Sequence, residues 1–220
     1  MADTEDPLSR AVIDAVLADL PDWRYQLDGL VTVFKTSTAA DALALIAAVG
    51  QIAEEQNHHP DLDWRYNRVF LRYTSHDAGT QVTDRDVAAA SAASEVAAVV
   101  GAVAEPGLYR SVELAIDTDD APAISETWRV GLGYRKTADG ALVDPYGRGP
   151  ALWFQETDEP HENRMHVDVY RSLAESGPVL TKTESTGALM EHDHAPAWVV
   201  VTDSQGNRFC LCTEAEDGQD

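Results

Sequence analysis

From Asn67 to Tyr73 the chain alternates: Val69, Leu71 and Tyr73 fall on one side, Arg68, Phe70 and Arg72 on the other. A period of two belongs to a strand with one buried face. Such a strand needs partners in a sheet and a layer over its apolar side, and the flanking sequence supplies both. Arg24 to Leu27 and Leu30 to Lys35 flank Asp28-Gly29, a strong hairpin signal. Pro7 to Leu20 carries Leu8, Ala11, Val12, Ala15 and Val16 at helical spacing, and Pro21 ends it. Thr38 with Asp41 reads as a capping box opening an Ala/Leu/Ile-rich helix to Gln56, which Pro60 keeps from continuing. Thr83 with Asp86 opens another, with Val87 to Ala104 as its body. The predicted order is helix, two strands, helix, two strands, helix. That is an α+β layer over residues 1–104, an antiparallel four-stranded sheet with three helices on one face.

Glu105-Pro106-Gly107 reads as a short linker. Beyond it the pattern changes. Val112 to Ile116 is a predicted strand, Pro122 to Gly131 a helix, and Tyr134 to Lys136, Ala141 to Asp144 and Ala151 to Gln155 are short strands. The sequence then begins again, with a strand over Met165 to Tyr170, a short helix over Ser172 to Ser176, and three strand-like runs that include Trp198 to Val201 and Arg208 to Thr213. A second domain over residues 110–214 is therefore built on a weak internal repeat. Residues 215–220 form an acidic tail, expected to be disordered.

Charge narrows the choice of partner. A formal net charge of -22 repels phosphate backbones and anionic lipid, so neither nucleic acid nor membrane is an expected partner. Lysine is confined to Lys35, Lys136 and Lys182. Met1 to Pro7 is acidic and polar, unlike a signal peptide, and no apolar run approaches the roughly 20 residues that span a bilayer. Cys210 and Cys212 are too close for an ordinary disulfide. A cytoplasmic protein is the expectation.

The segment Glu54-Glu55-Gln56-Asn57-His58-His59-Pro60 carries the chemistry. Glu54 and His58, four apart, share a helix face, and His58 and His59 stand where the helix must stop. The next strand delivers Thr74-Ser75-His76. If it runs beside the helix end, three imidazoles converge. Histidine can give and take protons near neutral pH, its ordinary pKa being about 6.5, and a neighbouring carboxylate can fix its tautomer. Three histidines can equally be zinc ligands, and by themselves Asp86 and Glu54 can be a helix cap and a solvated helix residue.

Taken together, Trp23, Phe34-Lys35, Glu54 with Asn57-His58-His59-Pro60, Tyr66-Asn67-x-Val69, Thr74-Ser75-His76 and Thr83-x-x-Asp86 resemble the pterin-4a-carbinolamine dehydratase family over about residues 8–104. The resemblance implies an α+β fold, a homodimer or larger, a reduced pterin as substrate, and dehydration of a 4a-hydroxytetrahydropterin without metal or bound cofactor. A hydroxyl leaves as water and a neighbouring ring N–H loses its proton. By this match His58, His59 and His76 are the catalytic candidates, with Glu54, Asp86, Thr74 and Ser75 supporting them or binding substrate. Leu62 stands where many members carry an aromatic residue, and Trp64 is nearby. A scaffold that only dimerises or regulates is the alternative.

Residues 110–214 resemble a glyoxalase-like domain of the vicinal oxygen chelate superfamily. The resemblance rests on Trp128, Leu132-Gly133-Tyr134, Asn163-Arg164-x-His166-x-Asp168 and Asp203-x-x-Gly206-Asn207-x-Phe209. It implies paired βαβββ modules around a cleft. The positions that match the superfamily's metal ligands are Glu113, Gln155, His166 and Cys210. An amide and a thiol suit a hard metal poorly, so an unidentified small organic molecule is the expected ligand. A metal-dependent lyase or dioxygenase is the competing reading.

Overall fold

The alternating segment forms β4 (Arg68–Tyr73). It lies inside an antiparallel sheet ordered β1 (Arg24–Gln26), β2 (Gly29–Lys35), β4, β3 (Asp61–Arg65). This is a computed structural model that describes residues 6–158, 167–170 and 173–213. The chain divides into two compact units, Met1–Ser111 and Val112–Asp220. Leu30, Thr32 and Phe34 of β2 stand opposite Tyr73, Leu71 and Val69 of β4, so these side chains share one face. Against that face pack α1 (Arg10–Leu17), α2 (Ala39–Gln56) and α3 (Asp84–Val99), through Ile13, Ala42, Leu45, Val49, Ala89, Ala90, Ala93 and Ala97. Both expected capping boxes form, Thr38 with Asp41 and Thr83 with Asp86.

Three local expectations change. The hairpin turn is Leu27-Asp28, at φ 43° and 58°, and Gly29 already belongs to β2 opposite Gln26. Gly29 leaves room for the Arg72 side chain, whose Nε would lie 2.7 Å from a Cβ built there. The third helix stops at Val99, short of Ala104. Gly101, at φ 68°, turns the chain, and β5 (Val103–Ala104) pairs with Lys35 and Phe34. Glu105-Pro106-Gly107 does not hang free. The Glu105 N–H donates to Val33 O at 2.7 Å, Arg68 Nε donates to Glu105 Oε2 at 2.8 Å, and the Tyr109 ring lies 6.2 Å from Phe70. This segment runs over the sheet face away from the helices, where Val31 and Val33 are buried.

The second unit contains two sheets. One is ordered β6 (Glu113–Thr118), β9 (Ala151–Glu156), β8 (Leu142–Val143), β7 (Arg135–Lys136), and the other β10 (Val167–Tyr170), β13 (Arg208–Cys212), β12 (Trp198–Thr202), β11 (Leu189–Glu191). In each, the first and last strands of a strand–helix–three-strand module pair in parallel. The connecting helices are α4 (Ala121–Leu132) and α5 (Leu173–Glu184). The latter runs well past the predicted Ser176 despite Pro178, because Val179 and Leu180 beyond the proline pack on the shared core. Tertiary burial outweighs the local proline cost. The modules are clamped by Trp128, whose ring lies 5.0 Å from Phe209 and whose Nε1 donates to Asp203 Oδ2 at 2.9 Å. Among the described residues no helix is long and apolar enough to cross a membrane. The predicted tail at 215–220 lies outside the described residues.

Candidate active site

The site begins at the end of α2. Asn57 adopts the left-handed conformation, φ 49°, and the His58 N–H closes back on Ala53 O at 3.0 Å. This turn sends the two histidines apart. His58 is buried, while His59 stays exposed. The helix-face pairing expected for Glu54 and His58 therefore does not occur. Because the helical path ends before residue 58, Glu54 Oε1 instead meets His59 Nε2, at 2.9 Å and in solvent.

His58 finds a different carboxylate. Its Nε2 lies 2.7 Å from Asp86 Oδ1. Asp86 Oδ2 accepts from Ser75 Oγ at 2.8 Å, from the Thr83 N–H at 2.7 Å and from Thr83 Oγ1 at 3.1 Å. Ser75, Thr83 and Asp86 are all buried. Burial alone would raise the Asp86 carboxyl, but the hydrogen bonds from His58, Thr83 and Ser75 together hold it below the usual carboxylate range. Asp86 is thus a helix cap and a histidine partner at once. The ionised carboxylate can only accept, so His58 carries its proton on Nε2 and leaves Nδ1 without one when neutral.

The strand end contributes the rest. Thr74 is buried and donates from Oγ1 to Asp28 O at 2.8 Å, which ties the strand end to the first hairpin. His76 opens a short 3-10 turn, His76–Ala78, and is exposed. Its neighbour Asp77 forms an ion pair with Arg85 of α3, anchoring the turn beside the helix that carries Asp86. The hydrogen bond to Arg85 lowers the Asp77 carboxyl. The structure joins His58, Asp86, Ser75 and Thr83 in one network and His59 with Glu54 in a second. His76 has no carboxylate partner among the described residues.

One participant escaped the sequence reading. Tyr73, predicted only as a core strand residue, stacks its ring on His58, with centroids 5.8 Å apart and planes at 25°. Its hydroxyl is buried without a hydrogen-bond partner among the described residues. Burial, aided by Asp86, pushes the phenol up to about 12. The available signal was its place on the inward face of the strand, directly before Thr74-Ser75-His76.

In the second unit Glu113 and Gln155 share a face of the β6/β9 pair but not a neighbourhood. Glu113 pairs with Ala151 and Gln155 with Asp117, which separates them by about 13 Å at ~3.3 Å per residue. Cys210 is on the other sheet, opposite Asp168. Burial, with Asp168 beside it, pushes its thiol up to about 11. His166 lies outside the described residues. Trp153, opposite Ala115, is exposed on the face that carries Glu113 and Gln155.

A family profile for pterin 4 alpha carbinolamine dehydratase matches residues 6–96, and one for a glyoxalase-like domain matches residues 113–212. A protein of Thermomicrobium roseum, provisionally named pterin-4-alpha-carbinolamine dehydratase, is 41% identical over 90 residues, covering 41% of this chain and 96% of its own length. A Chloroflexus aurantiacus protein with the same provisional name is 43% identical over 89 residues, covering 40% of this chain and 95% of its own. Among solved structures, a transcriptional coactivator/pterin dehydratase from Brucella melitensis is similar at 24% identity and TM-score 0.41, over 42% of this chain and 99% of that one. The fosfomycin resistance protein FosX from Mesorhizobium loti is similar at 10% identity and TM-score 0.40, over 49% of this chain and 94% of that one.

Proposed function

The chain belongs, through its first unit, to the pterin-4a-carbinolamine dehydratase family, and on that premise we propose that it dehydrates a 4a-hydroxytetrahydropterin to the quinonoid dihydropterin. The observation that carries this reading is the buried His58–Asp86 pair at 2.7 Å, set at the helix end that also presents His59. The reaction removes a hydroxyl from a ring carbon and a proton from the adjoining ring nitrogen. A carboxylate-paired imidazole suits the second task. Asp86 stabilises the imidazolium that forms when His58 Nδ1 accepts the proton. His76, with no carboxylate to hold it, is assigned the proton that the departing hydroxyl needs to leave as water. His59, oriented by Glu54, binds the pterin beside them. Thr74 and Ser75 hold the strand end in place. This is acid–base chemistry that the histidines supply themselves. The test is the dehydration rate of the full chain with and without these histidines.

The active form is proposed to be a homodimer or larger. β3 is an edge strand, and Leu62 and Trp64 on it are exposed, an apolar edge of the kind that a second chain covers. Light scattering at micromolar concentration is expected to give at least twice the 23.9 kDa chain mass. A monomer would exclude this assembly.

The second unit is proposed to bind a small organic molecule, without the hard-metal centre of a glyoxalase. The separation of Glu113 from Gln155 and the protonated Cys210 thiol support this, since a catalytic metal needs about three converging ligands. Protein purified without chelators should contain no stoichiometric nickel, zinc or manganese. Finding one, together with lactoylglutathione formation abolished by His166→Ala, would overturn the assignment.

A further inference from the structure

We propose that Tyr73 is a positioning residue of the dehydratase site: its ring fixes the plane of the His58 imidazole, so that His58, tied to Asp86 through Nε2, meets the pterin through Nδ1. The proposal rests on the dehydratase reading and adds the working nitrogen and the group that aims it.

One hydrogen bond leaves an imidazole a hinge. The Nε2–Asp86 contact fixes one atom of the ring, about which the plane can still rotate. Rotation would swing Nδ1 away from a bound substrate, and a misplacement on the ångström scale can cost about 10²-fold in rate. A second restraint must bear on the ring face. Tyr73 supplies it, stacked at 5.8 Å and 25°. The phenol is itself packed in: Tyr73 is fully buried, its ring lies 5.6 Å from Trp23, and Trp23 Nε1 donates to Ser94 Oγ at 2.9 Å. The restraint therefore runs from α3 through Trp23 and Tyr73 to His58, while α3 also provides Asp86. Packing is the function that the geometry gives Tyr73. Its hydroxyl has no hydrogen-bond partner among the described residues, and its ring makes the contact with His58.

The experiment combines histidine 15N NMR with kinetics on the full-length chain. In the wild type, the neutral His58 ring should be a single tautomer, with Nε2 protonated and Nδ1 bare. A ring protonated at Nδ1 overturns the proposal without recourse to any variant. Tyr73→Phe keeps the ring and should preserve both the tautomer and kcat within about twofold, whereas Tyr73→Leu fills the space without a flat face. Leu should leave the tautomer unchanged, since Asp86 sets it, but broaden the His58 ring signals as the plane loosens and lower kcat about tenfold with little change in KM. A folded Leu variant with wild-type His58 ring signals or wild-type kcat would show a merely structural residue, and a Phe variant as impaired as Leu would transfer the role to the hydroxyl. Both results overturn the proposal. If the wild type fails to dehydrate any 4a-hydroxytetrahydropterin, the proposed function falls, and the NMR comparison still reports on the ring contact.

Discussion

The double variant His58→Ala, His76→Ala is expected to dehydrate a 4a-hydroxytetrahydropterin at least about 10²-fold more slowly than the wild type, the scale of a positioned acid or base. The expectation follows from how differently the two rings are held. His58 is buried against the Asp86 carboxylate, so its removal takes away the proposed acceptor for the ring N–H. His76 sits exposed on the turn, and its removal takes away the donor for the departing hydroxyl. Because both act in one elimination, the single losses should not add. His58→Ala also strands Asp86, so His58→Gln, whose amide can still donate to the carboxylate, distinguishes lost chemistry from lost packing. His59→Ala should act chiefly on KM. A double variant that folds and retains the wild-type rate would refute the site.

Asp86→Ala should destabilise the first unit by about 3 kcal/mol, since each buried donor it strands costs about 1–3 kcal/mol. Against a typical domain stability of about 5–15 kcal/mol, that is a large share. Four contacts disappear together, from His58, Ser75, the Thr83 N–H and Thr83 Oγ1, and with them half of the α3 capping box. Hydrogen exchange of the α2 and α3 amides isolates this unit from the other and measures the loss. The same carboxylate sets a pH dependence. Its folded pKa lies below the unfolded value of about 3.9, so the folded form binds fewer protons in that range. Its stabilisation is present above that unfolded value and is lost as the pH falls through the folded one. Asp86→Asn should flatten this acid limb. A variant with the wild-type acid limb would show that other carboxylates control it.

The sequence by itself determined the parts whose signals are local. Alternation from Asn67 to Tyr73 established the inward face of β4, two Thr/Asp pairs marked the starts of α2 and α3, and repeated strand–helix–strand punctuation revealed the duplicated second unit. These readings succeed because a strand's period, a cap and a turn are decided by neighbours within a few residues. The chemistry-bearing residues were legible too, as types in order. Only the tertiary structure decided their pairing. Spacing placed Glu54 beside His58, but a left-handed Asn57 ends the helix at Gln56, before His58 is reached, and gives Glu54 to His59. Asp86 reaches His58 across 28 positions of sequence, and Tyr73 stacks on the same ring from a strand. Helix periodicity does not encode such contacts, because they depend on how α3 docks on β4. Likewise Glu113, at the start of its strand, and Gln155, near the end of its own, are held apart by the parallel register. Where a side chain meets a partner through the core, packing rather than spacing chooses the partner.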